Sequence, residues 1–307
     1  MKILVIGASG HIGSYLVKEL VNENYEVFAV MRGERQPYDY NENIWSKVKV
    51  IKMSRDELCE SDVFNANHFD VVCDLIAYNL DSVKKILPKI NNDAFYVQIG
   101  TIWMYGNKVY LPVDEKHPKN GLEDYGVQKG MIEEYLFDLV RKNKLRATVI
   151  HPGHVSGKEW DPINPQGNKD LSLYAKMKKG EEVLLPFLGL TTLQHVHSYD
   201  LAKIILACIK NQEIANGEAF NAVCEKAMTM RALCEYVYGF YKQTSKIKYV
   251  EWAEFEKNVG DRHAAATLDH ATHSPCCSVE KAKNLLGVKL KYSITDIFDE
   301  YLTYQDI

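Results

Sequence analysis

A tyrosine and a lysine four residues apart could perform acid–base chemistry in this chain. Tyr125 and Lys129 would share one face of a helix, because residues i and i+4 are neighbours there. A tyrosine with its ordinary pKa of about 10 is a poor base at neutral pH, and a nearby ammonium would favour the phenolate and lower that pKa. Thr101 follows a predicted strand and could hydrogen-bond a substrate oxygen. We therefore predict Thr101, Tyr125 and Lys129 as a catalytic set, although the tyrosine–lysine spacing alone also occurs for structural reasons.

Three glycines near the start of the chain form a second candidate site. Gly7, Gly10 and Gly13 follow an apolar run at residues 2–6 and precede a segment with helical spacing of apolar residues. A glycine turn between a strand and a helix brings the backbone close to a pyrophosphate at the helix N-terminus. The motif therefore predicts an NAD(P) site. The residues of the loop that we expect to contact the dinucleotide are Gly7, Ser9, Gly10, His11, Ile12 and Gly13.

The residue that follows the second predicted strand indicates which dinucleotide binds. An acidic side chain there would hydrogen-bond the ribose 2′-hydroxyl of NAD and repel a 2′-phosphate. This chain has Arg32 at that point, and Arg32 with Arg35 could pair with a 2′-phosphate. We expect NAD(P), with NADP slightly favoured over NAD. The alternative is a solvated arginine in a turn.

The elements that must position these residues alternate between strands and helices. Such alternation predicts right-handed βαβ units and a parallel sheet. The fold class is therefore α/β, a Rossmann-type doubly wound parallel sheet with a small C-terminal α/β substrate-binding cap. The predicted strands are residues 2–6, 25–31, 48–53, 69–76, 94–99, 146–150 and 219–223. Helical patterns follow the first strand, at residues 12–21, and the fourth strand, around residues 83–87. Further helices are predicted at residues 124–142, 171–179, 201–209 (with Asp200 as N-cap), 230–241 and 279–286.

A division of the chain follows from this pattern. A length of 307 residues suggests about two domains. We expect residues 1–155 to form a dinucleotide-binding domain, to which residues 199–223 return. Residues 156–198 and 224–307 would form the cap.

Three parts of the chain together resemble the extended short-chain dehydrogenase/reductase superfamily, in its NAD-dependent epimerase/dehydratase family. The glycine loop resembles its cofactor loop, and Thr101, Tyr125 and Lys129 resemble its catalytic set. Three further segments are similar to the family pattern: residues 151–157 (HPGHVSG), 194–202 (QHVHSYDLA) and 278–287 (SVEKAKNLLG). The resemblance implies hydride transfer to or from a secondary alcohol. The cofactor-binding residues that it adds to the loop are Leu75, Ile76, Tyr125, Lys129 and Pro152.

Departures from the family pattern bear on the substrate. Ile102 and Trp103 follow Thr101 where the sugar dehydratases carry an acidic pair, which argues against water elimination. His154 stands where nucleotide-sugar enzymes often carry an asparagine. The expected function is that of an NAD(P)-dependent oxidoreductase or epimerase acting on a sugar-like or nucleotide-sugar substrate. The alternative is a non-catalytic NAD(P)-binding sensor or an RNA-binding atypical member of the family.

Aromatic and histidine side chains near these segments are candidates for the substrate site. Trp103 and Tyr105 follow the fifth strand, and His154 and His195 belong to segments that resemble the family pattern. We predict that these four residues bind the substrate, and core packing is the alternative for each of them. His263, His270 and His273 lie near Asp261 and Asp269, but their spacing matches no metal-binding motif. We therefore predict no metal site.

Composition bounds the partners and the compartment. The chain has 37 basic and 41 acidic residues and a formal net charge of -4, so a nucleic-acid partner is not expected. No apolar run approaches the length of a membrane span, and residues 2–6 are interpreted as a strand instead of a signal peptide. The 7 cysteines form no C-x-x-C pair, which is typical of reduced thiols in a cytoplasmic protein. The family resemblance leaves open a homodimer formed through the helix that carries Tyr125.

Overall fold

A parallel sheet dominates the computed structural model, which describes residues 1–41 and 43–305. Within those residues the sheet has seven strands in the order β11-β6-β5-β4-β1-β2-β3. Each pair of neighbouring strands is parallel, so the alternation of strands and helices along the sequence correctly predicted a Rossmann-type α/β fold. The strands of this sheet are β1 (Lys2–Ile6), β2 (Glu26–Met31), β3 (Lys49–Lys52), β4 (Val71–Asp74), β5 (Phe95–Ile99), β6 (Arg146–Pro152) and β11 (Ala219–Ala222).

Helices cover both faces of this sheet, as the near-continuous apolar strands require. One face packs against apolar residues of α1, α7 and α12, and the other against those of α2, α4 and α5. Neighbouring residues of β1 divide between the two cores, Ile3 and Val5 on one side and Leu4 and Ile6 on the other. The helices named here are α1 (His11–Asn22), α2 (Arg55–Glu60), α4 (Leu80–Ile86), α5 (Asp124–Arg141), α7 (Ser198–Lys210) and α12 (Glu280–Leu286). The short helix α3 (Val63–Ala66) follows α2.

A smaller apolar core lies outside the sheet and joins residues 163–193, which precede β11 along the chain, with residues 224–302, which follow it. Three two-stranded pairings border it, namely β10 with β7, β12 with β9, and β13 with β8. The strands are β7 (His154–Ser156), β8 (Val183–Leu185), β9 (Thr192–Leu193), β10 (His195–His197), β12 (Met228–Thr229) and β13 (Ile247–Tyr249). The helices are α6 (Ser172–Lys178), α8 (Gln212–Ala215), α9 (Met230–Phe240), α10 (Trp252–Val259), α11 (Asp261–His273) and α13 (Ile294–Tyr304).

The start of α7 differs from the sequence-based prediction. His197, and not Asp200, caps this helix, because the His197 side chain accepts a hydrogen bond from the Tyr199 N–H at 3.0 Å. Asp200 lies inside the first turn and is buried. Its carboxylate accepts hydrogen bonds from the N–H groups of Lys291 and Tyr292, at 2.8 and 2.9 Å. The prediction was wrong because Asp200 binds a distant segment instead of its own helix.

Across residues 1–41 and 43–305, we find no helix that combines the length and the hydropathy needed to cross a bilayer.

Candidate active site

The glycine loop is folded tightly between β1 and α1. The N–H groups of Gly7 and Ala8 both donate to the carbonyl oxygen of Val30 at 3.1 Å, which ties the turn to β2. Gly7 has a φ of 88°, a conformation that glycine adopts without strain. A Cβ on Gly13 would lie 2.5 Å from the Gly7 carbonyl oxygen, so only glycine allows α1 to begin this close to the turn.

The start of α1 fits an anionic group. The N–H groups of the first helical turn have no intrahelical acceptor, and Gly10, the N-cap, offers no side chain to bind them. No acidic residue lies in this first turn. The helix end therefore presents N–H donors and the positive end of the helix dipole, which is the environment that a dinucleotide pyrophosphate prefers.

Thr101, Tyr125 and Lys129 meet beyond the carboxyl end of β5. Thr101 follows β5 and caps the short 3₁₀ turn Ile102–Tyr105, where its hydroxyl accepts from the Trp103 N–H at 3.2 Å. Tyr125 stands in the first turn of α5 and hydrogen-bonds the Thr101 side chain. The Lys129 Nζ lies one helical turn further, 5.7 Å from the centroid of the Tyr125 ring. The structure therefore brings the three residues predicted as the catalytic set together.

The pKa of Tyr125 is raised, which is opposite to the expected direction, because burial outweighs its hydrogen bond to Thr101. Lys129 does not oppose this effect, since its Nζ donates to the carbonyl oxygens of Ala77 and Ile99 at 2.8 and 2.6 Å. Lys129 is 2% exposed, and this burial lowers its pKa to about 8. With a pKa of about 8 Lys129 is still mostly protonated at pH 7, but the pKa of Tyr125 stays above its ordinary value, so the tyrosine needs a further positive charge to ionise at neutral pH.

A cavity of about 490 Å³ extends from these three residues to Ile12 at the start of α1. Ile12 of α1, Leu75 after β4 and Pro152 at the end of β6 line one side of it. Thr101, Tyr125 and Lys129 line its floor. The carboxyl ends of parallel strands share one edge of a sheet, which is where open α/β folds place their ligands. The cavity is therefore the candidate active site.

The opposite wall of the cavity belongs to the region predicted as the cap. Asp269 and His270 of α11 contribute to it, together with Trp103 and Glu123. The indole Nε1–H of Trp103 donates to Asp269 Oδ2 at 3.2 Å, and the ring stacks on His273 with centroids 4.6 Å apart. One ligand atom from each of Glu123, Asp269 and His273 lies within 4.8 Å of the others. Asp269 and His273 belong to the histidine and aspartate group for which the sequence analysis predicted no metal site.

The ionisable side chains that line this part of the cavity have pKa values shifted in different directions. Burial opposes ionisation of Asp269, but hydrogen bonds with His273, Glu123 and Trp103 lower its pKa to about 2. The hydrogen bond with Asp269 raises the pKa of Glu123, so this pair can hold a shared proton. Burial lowers the pKa of His154 and of His270, both of which line the cavity. These two imidazoles are therefore neutral at pH 7.

Two predicted substrate-binding residues do not reach the cavity. Tyr105 is fully buried, and its hydroxyl donates to Asn221 Oδ1 at 2.7 Å, because the 3₁₀ turn directs it toward β11. His195 is also fully buried, with its Nε2 3.2 Å from the Ile163 carbonyl oxygen. The ring of His195 packs behind His154, 5.4 Å away between centroids. Trp103 and His154 do line the cavity.

Seven of the twelve predicted cofactor-binding residues lie outside the cavity wall, among them Gly7, Ser9, Gly10 and Gly13 of the glycine loop. His11 stacks on Trp160, with centroids 5.2 Å apart, and burial lowers its pKa to about 3. Arg32 is exposed and pairs with Glu34 at 3.0 Å. Of the remaining predicted residues, Ile76 lies beneath the loop, where its Cγ2 would be 2.7 Å from a Cβ on Gly7.

Residues that the sequence analysis did not assign to the site also line the cavity. Tyr78 and Glu123 are close in sequence to assigned residues, at the end of β4 and two residues before Tyr125, and that proximity could have identified them. Trp160 and Lys169 come from an irregular loop, and no sequence pattern points to them. Asp269 was weighed only as a metal ligand, because nothing local to α11 indicates that it faces Trp103.

Solved structures of low sequence identity share this fold. A dTDP-glucose 4,6-dehydratase from Bacillus anthracis in complex with NAD has a TM-score of 0.77 and 19% identity, covering 100% of this chain and 96% of that chain. A UDP-glucose 4-epimerase from Thermotoga maritima with UDP-glucose has a TM-score of 0.72 and 21% identity, covering 100% of this chain and 99% of that chain. Both structures show the same fold as this chain.

Curated proteins are similar at the level of sequence as well. The chloroplast stem-loop binding protein of 41 kDa b from Arabidopsis thaliana is 26% identical over 313 residues, which is 98% of this chain and 78% of the relative. The UDP-glucose 4-epimerase of Lactobacillus helveticus is 29% identical over 187 residues, which is 52% of this chain and 54% of the relative. The family model described as "NAD dependent epimerase/dehydratase family" matches residues 3–222. The resemblance found in the sequence is thereby confirmed: the chain belongs to the NAD dependent epimerase/dehydratase family.

Proposed function

We propose that this protein is an NAD(P)-dependent oxidoreductase or epimerase that acts on a secondary alcohol of a sugar-like or nucleotide-sugar substrate. One observation carries the proposal: a single cavity is lined by Ile12 at the start of α1 and by Thr101, Tyr125 and Lys129. A dinucleotide anchored at α1 would therefore reach the catalytic cluster. In this proposal residues 1–155 with 199–223 bind the cofactor, and residues 156–198 with 224–307 form the substrate cap.

The proposed mechanism assigns one task to each side chain. A bound nicotinamide would supply the hydride chemistry at the substrate carbon. Tyr125 takes the hydroxyl proton as the substrate is oxidised and gives a proton back when it is reduced. Thr101 already hydrogen-bonds Tyr125 and orients the same substrate oxygen. Lys129, held by Ala77 and Ile99, places positive charge below the phenol and can hold the ribose of the dinucleotide.

A substitution at Tyr125 tests this mechanism. Tyr125→Phe removes the hydroxyl that exchanges the proton and leaves the glycine loop intact. We expect turnover to fall by at least about a hundredfold, while the dissociation constant of NAD(P)H, measured by fluorescence titration, changes less than about threefold. Tyr110→Phe is the control, because Tyr110 hydrogen-bonds Asp114 at the surface. Wild-type turnover in Tyr125→Phe would refute the proposed mechanism.

Net oxidation and epimerisation can be separated by the fate of the cofactor. An epimerase oxidises and reduces the same carbon, so it retains its dinucleotide and produces no net change in nicotinamide absorbance. A dehydrogenase changes that absorbance with every turnover. Mass analysis of the dinucleotide that copurifies, followed by an absorbance assay, distinguishes the two reactions.

We also propose that NADP is preferred slightly over NAD. Arg32 follows β2, and its pair with Glu34 joins two side chains that are 68% and 67% exposed. Such an exposed pair is weak, so Arg32 is available to a 2′-phosphate. Arg32→Ala should lower the ratio of kcat/KM for NADP over NAD about tenfold. A rise in that ratio would instead show that Glu34 accepts from the 2′-hydroxyl of NAD and that Arg32 opposes it.

RNA binding without turnover is a second candidate function. The observation in its favour is the Arabidopsis thaliana relative named a stem-loop binding protein, which aligns with 98% of this chain. The net charge of -4 argues against it, since RNA binding depends on phosphate neutralisation by basic side chains. A stem-loop RNA titrated at low and moderate salt provides the test. Salt-sensitive binding that persists in Tyr125→Phe would favour this candidate.

The cysteines support a cytoplasmic location as part of the proposal. All 7 are free thiols in the structure, and Cys276 is the one that is not buried. Free thiols are stable in a reducing compartment.

We propose a homodimer through the exposed face of α5, where Val127 and Met131 are 42% and 43% exposed. Sedimentation of the wild type and of Met131→Glu tests this assembly.

A further inference from the structure

The cap side of the cavity contains many hydrogen-bond acceptors and few donors. Asp269 and His270 come from α11. Glu123, the N-cap residue of α5, lines the same cavity. Carboxylates accept hydrogen bonds and cannot donate them. The groups that face a ligand here therefore favour one that brings its own N–H or O–H donors.

Acceptors within the protein already engage the N–H groups of Trp103, His270 and His273 near this wall. The Trp103 indole N–H donates to Asp269 Oδ2 at 3.2 Å. Nδ1 of His270 lies 2.9 Å from the Ala266 carbonyl oxygen and must carry its hydrogen there, which leaves Nε2 of this neutral ring as an acceptor. Nδ1 of His273 donates in the same way to the Asp269 carbonyl oxygen at 2.9 Å. Oδ1 of Asp269 is buried and lies 3.1 Å from Nδ1 of His273, the ring nitrogen that also donates to the Asp269 carbonyl oxygen.

Positive charge is scarce at the same place. Among the residues that the structure describes, the cavity wall has two amines, those of Lys129 and Lys169, and no arginine. Lys129 is held by two carbonyl groups beneath Tyr125. Lys169 is exposed, with its Nζ 5.9 Å from the centroid of the Trp160 ring. A diphosphate carries two negative charges and accepts hydrogen bonds, so it would face Asp269 and Glu123 with one available cation.

We infer that the site takes an unphosphorylated sugar or polyol, whose hydroxyl groups donate to Asp269, Glu123 and His270. This inference rests on the proposed function and specifies its substrate class. A ligand hydroxyl would give Asp269 Oδ1 a donor of its own, since the Nδ1 hydrogen of His273 is shared with the Asp269 carbonyl oxygen. The reacting secondary alcohol would lie at Tyr125 and Thr101, with further hydroxyls of the same molecule directed toward α11.

UDP-glucose is the decisive probe, because it adds a nucleoside diphosphate to a sugar. Its binding is measured by calorimetry on the protein saturated with NAD or NADP. We expect no saturation by UDP-glucose up to millimolar concentration in the wild type. Asp269→Asn keeps the size of the side chain and the acceptor for Trp103, and Glu123→Gln changes an exposed residue, so both variants should fold. The double variant should bind UDP-glucose about tenfold more tightly than the wild type, because two acidic groups are removed.

The control is Asp261→Asn, an exposed change on the same helix, which should leave UDP-glucose binding unchanged. Micromolar binding of UDP-glucose to the wild type would overturn the inference, as would weaker binding in Asp269→Asn. Binding that requires Mg²⁺ or Mn²⁺ would also overturn it, since a cation held by Glu123, Asp269 and His273 would then supply the missing charge. The proposed function is tested separately: it fails if Tyr125→Phe keeps its turnover, whatever UDP-glucose does.

Discussion

Nε2 of His151 lies 2.5 Å from Oε2 of Glu133, and this buried pair connects β6 to α5, the helix that carries Tyr125 and Lys129. Tyr125, Lys129 and Glu133 follow one another at intervals of four along α5, so they share a face of that helix. Lys119 approaches the same carboxylate, with its Nζ 3.1 Å from Oε1. The pair therefore fixes the rotation of α5 relative to the sheet, and with it the direction in which Tyr125 and Lys129 point.

Replacing Glu133 should reduce both stability and turnover. Glu133→Gln leaves His151 and Lys119 without their shared anion, and breaking a buried pair of this kind costs about 3 kcal/mol in the free energy of unfolding. Because α5 loses its anchor, kcat should fall while the affinity for a dinucleotide at α1 changes little. Urea denaturation and steady-state kinetics measure the two effects. Glu134→Gln, at the exposed neighbouring position, should behave like the wild type.

The same pair predicts how stability depends on pH. Burial alone would raise the pKa of Glu133, but His151 and Lys119 hold it below its ordinary value of 4.5. A carboxylate with a lowered pKa stabilises the fold above its unfolded pKa, and that contribution disappears as the pH falls through the folded value. The wild type should therefore lose its advantage over Glu133→Gln below about pH 4.5. If the difference in the free energy of unfolding between the wild type and Glu133→Gln stayed constant down to about pH 3, this account would be contradicted.

Gly100 gives a prediction about packing directly before the catalytic threonine. A Cβ at this position would lie 2.2 Å from Nδ1 of His151, closer than real atoms approach. Gly100→Ala must therefore displace His151 or the end of β5, with a loss of about 2 kcal/mol or more in the free energy of unfolding. Gly239→Ala is the matched control, because its Cβ would meet no atom within 4 Å and α9 would gain up to about 1 kcal/mol. Equal stability of the two variants would show that the contact at His151 is easily relieved.

Local sequence patterns were sufficient for the sheet and for the catalytic cluster. The glycine turn, the strand before it and the helix after it are adjacent in sequence, so their geometry follows from short-range rules. Tyr125 and Lys129 are one helical turn apart. Thr101 follows a strand, and ligand sites in parallel sheets lie at the carboxyl ends of the strands. These residues could be placed together without any knowledge of long-range packing.

The part of the cavity wall formed by Asp269, His270 and Trp103 depends on contacts that no local sequence pattern predicts. Asp269 meets Trp103 across 166 positions of the chain, and neither residue signals the other. Tyr105 and His195, which were predicted to bind the substrate, are fully buried and do not line the cavity, because a sequence pattern places a strand end but not the direction of the side chain that follows. The 3₁₀ turn at Ile102–Tyr105 leaves Trp103 in the cavity wall and buries Tyr105 against Asn221. That rotation is set by the tertiary fold.

Lys129 predicts a pH dependence of stability in the alkaline range, whereas that of Glu133 lies in the acid range. Its folded pKa of about 8 lies below the ordinary value of 10.5, so the unfolded chain binds more protons between these values. The free energy of unfolding therefore gains a contribution from Lys129 that rises with pH, by about 2 kcal/mol between about pH 7 and about pH 9.5. Lys129→Met lacks this contribution, although it also loses the hydrogen bonds to Ala77 and Ile99. The stability of the wild type relative to Lys129→Met should thus increase by that amount over the interval, as measured by urea denaturation at both pH values. The exposed Lys142→Met should show no such change, and a pH-independent difference for Lys129→Met would mean that the buried amine stays protonated throughout.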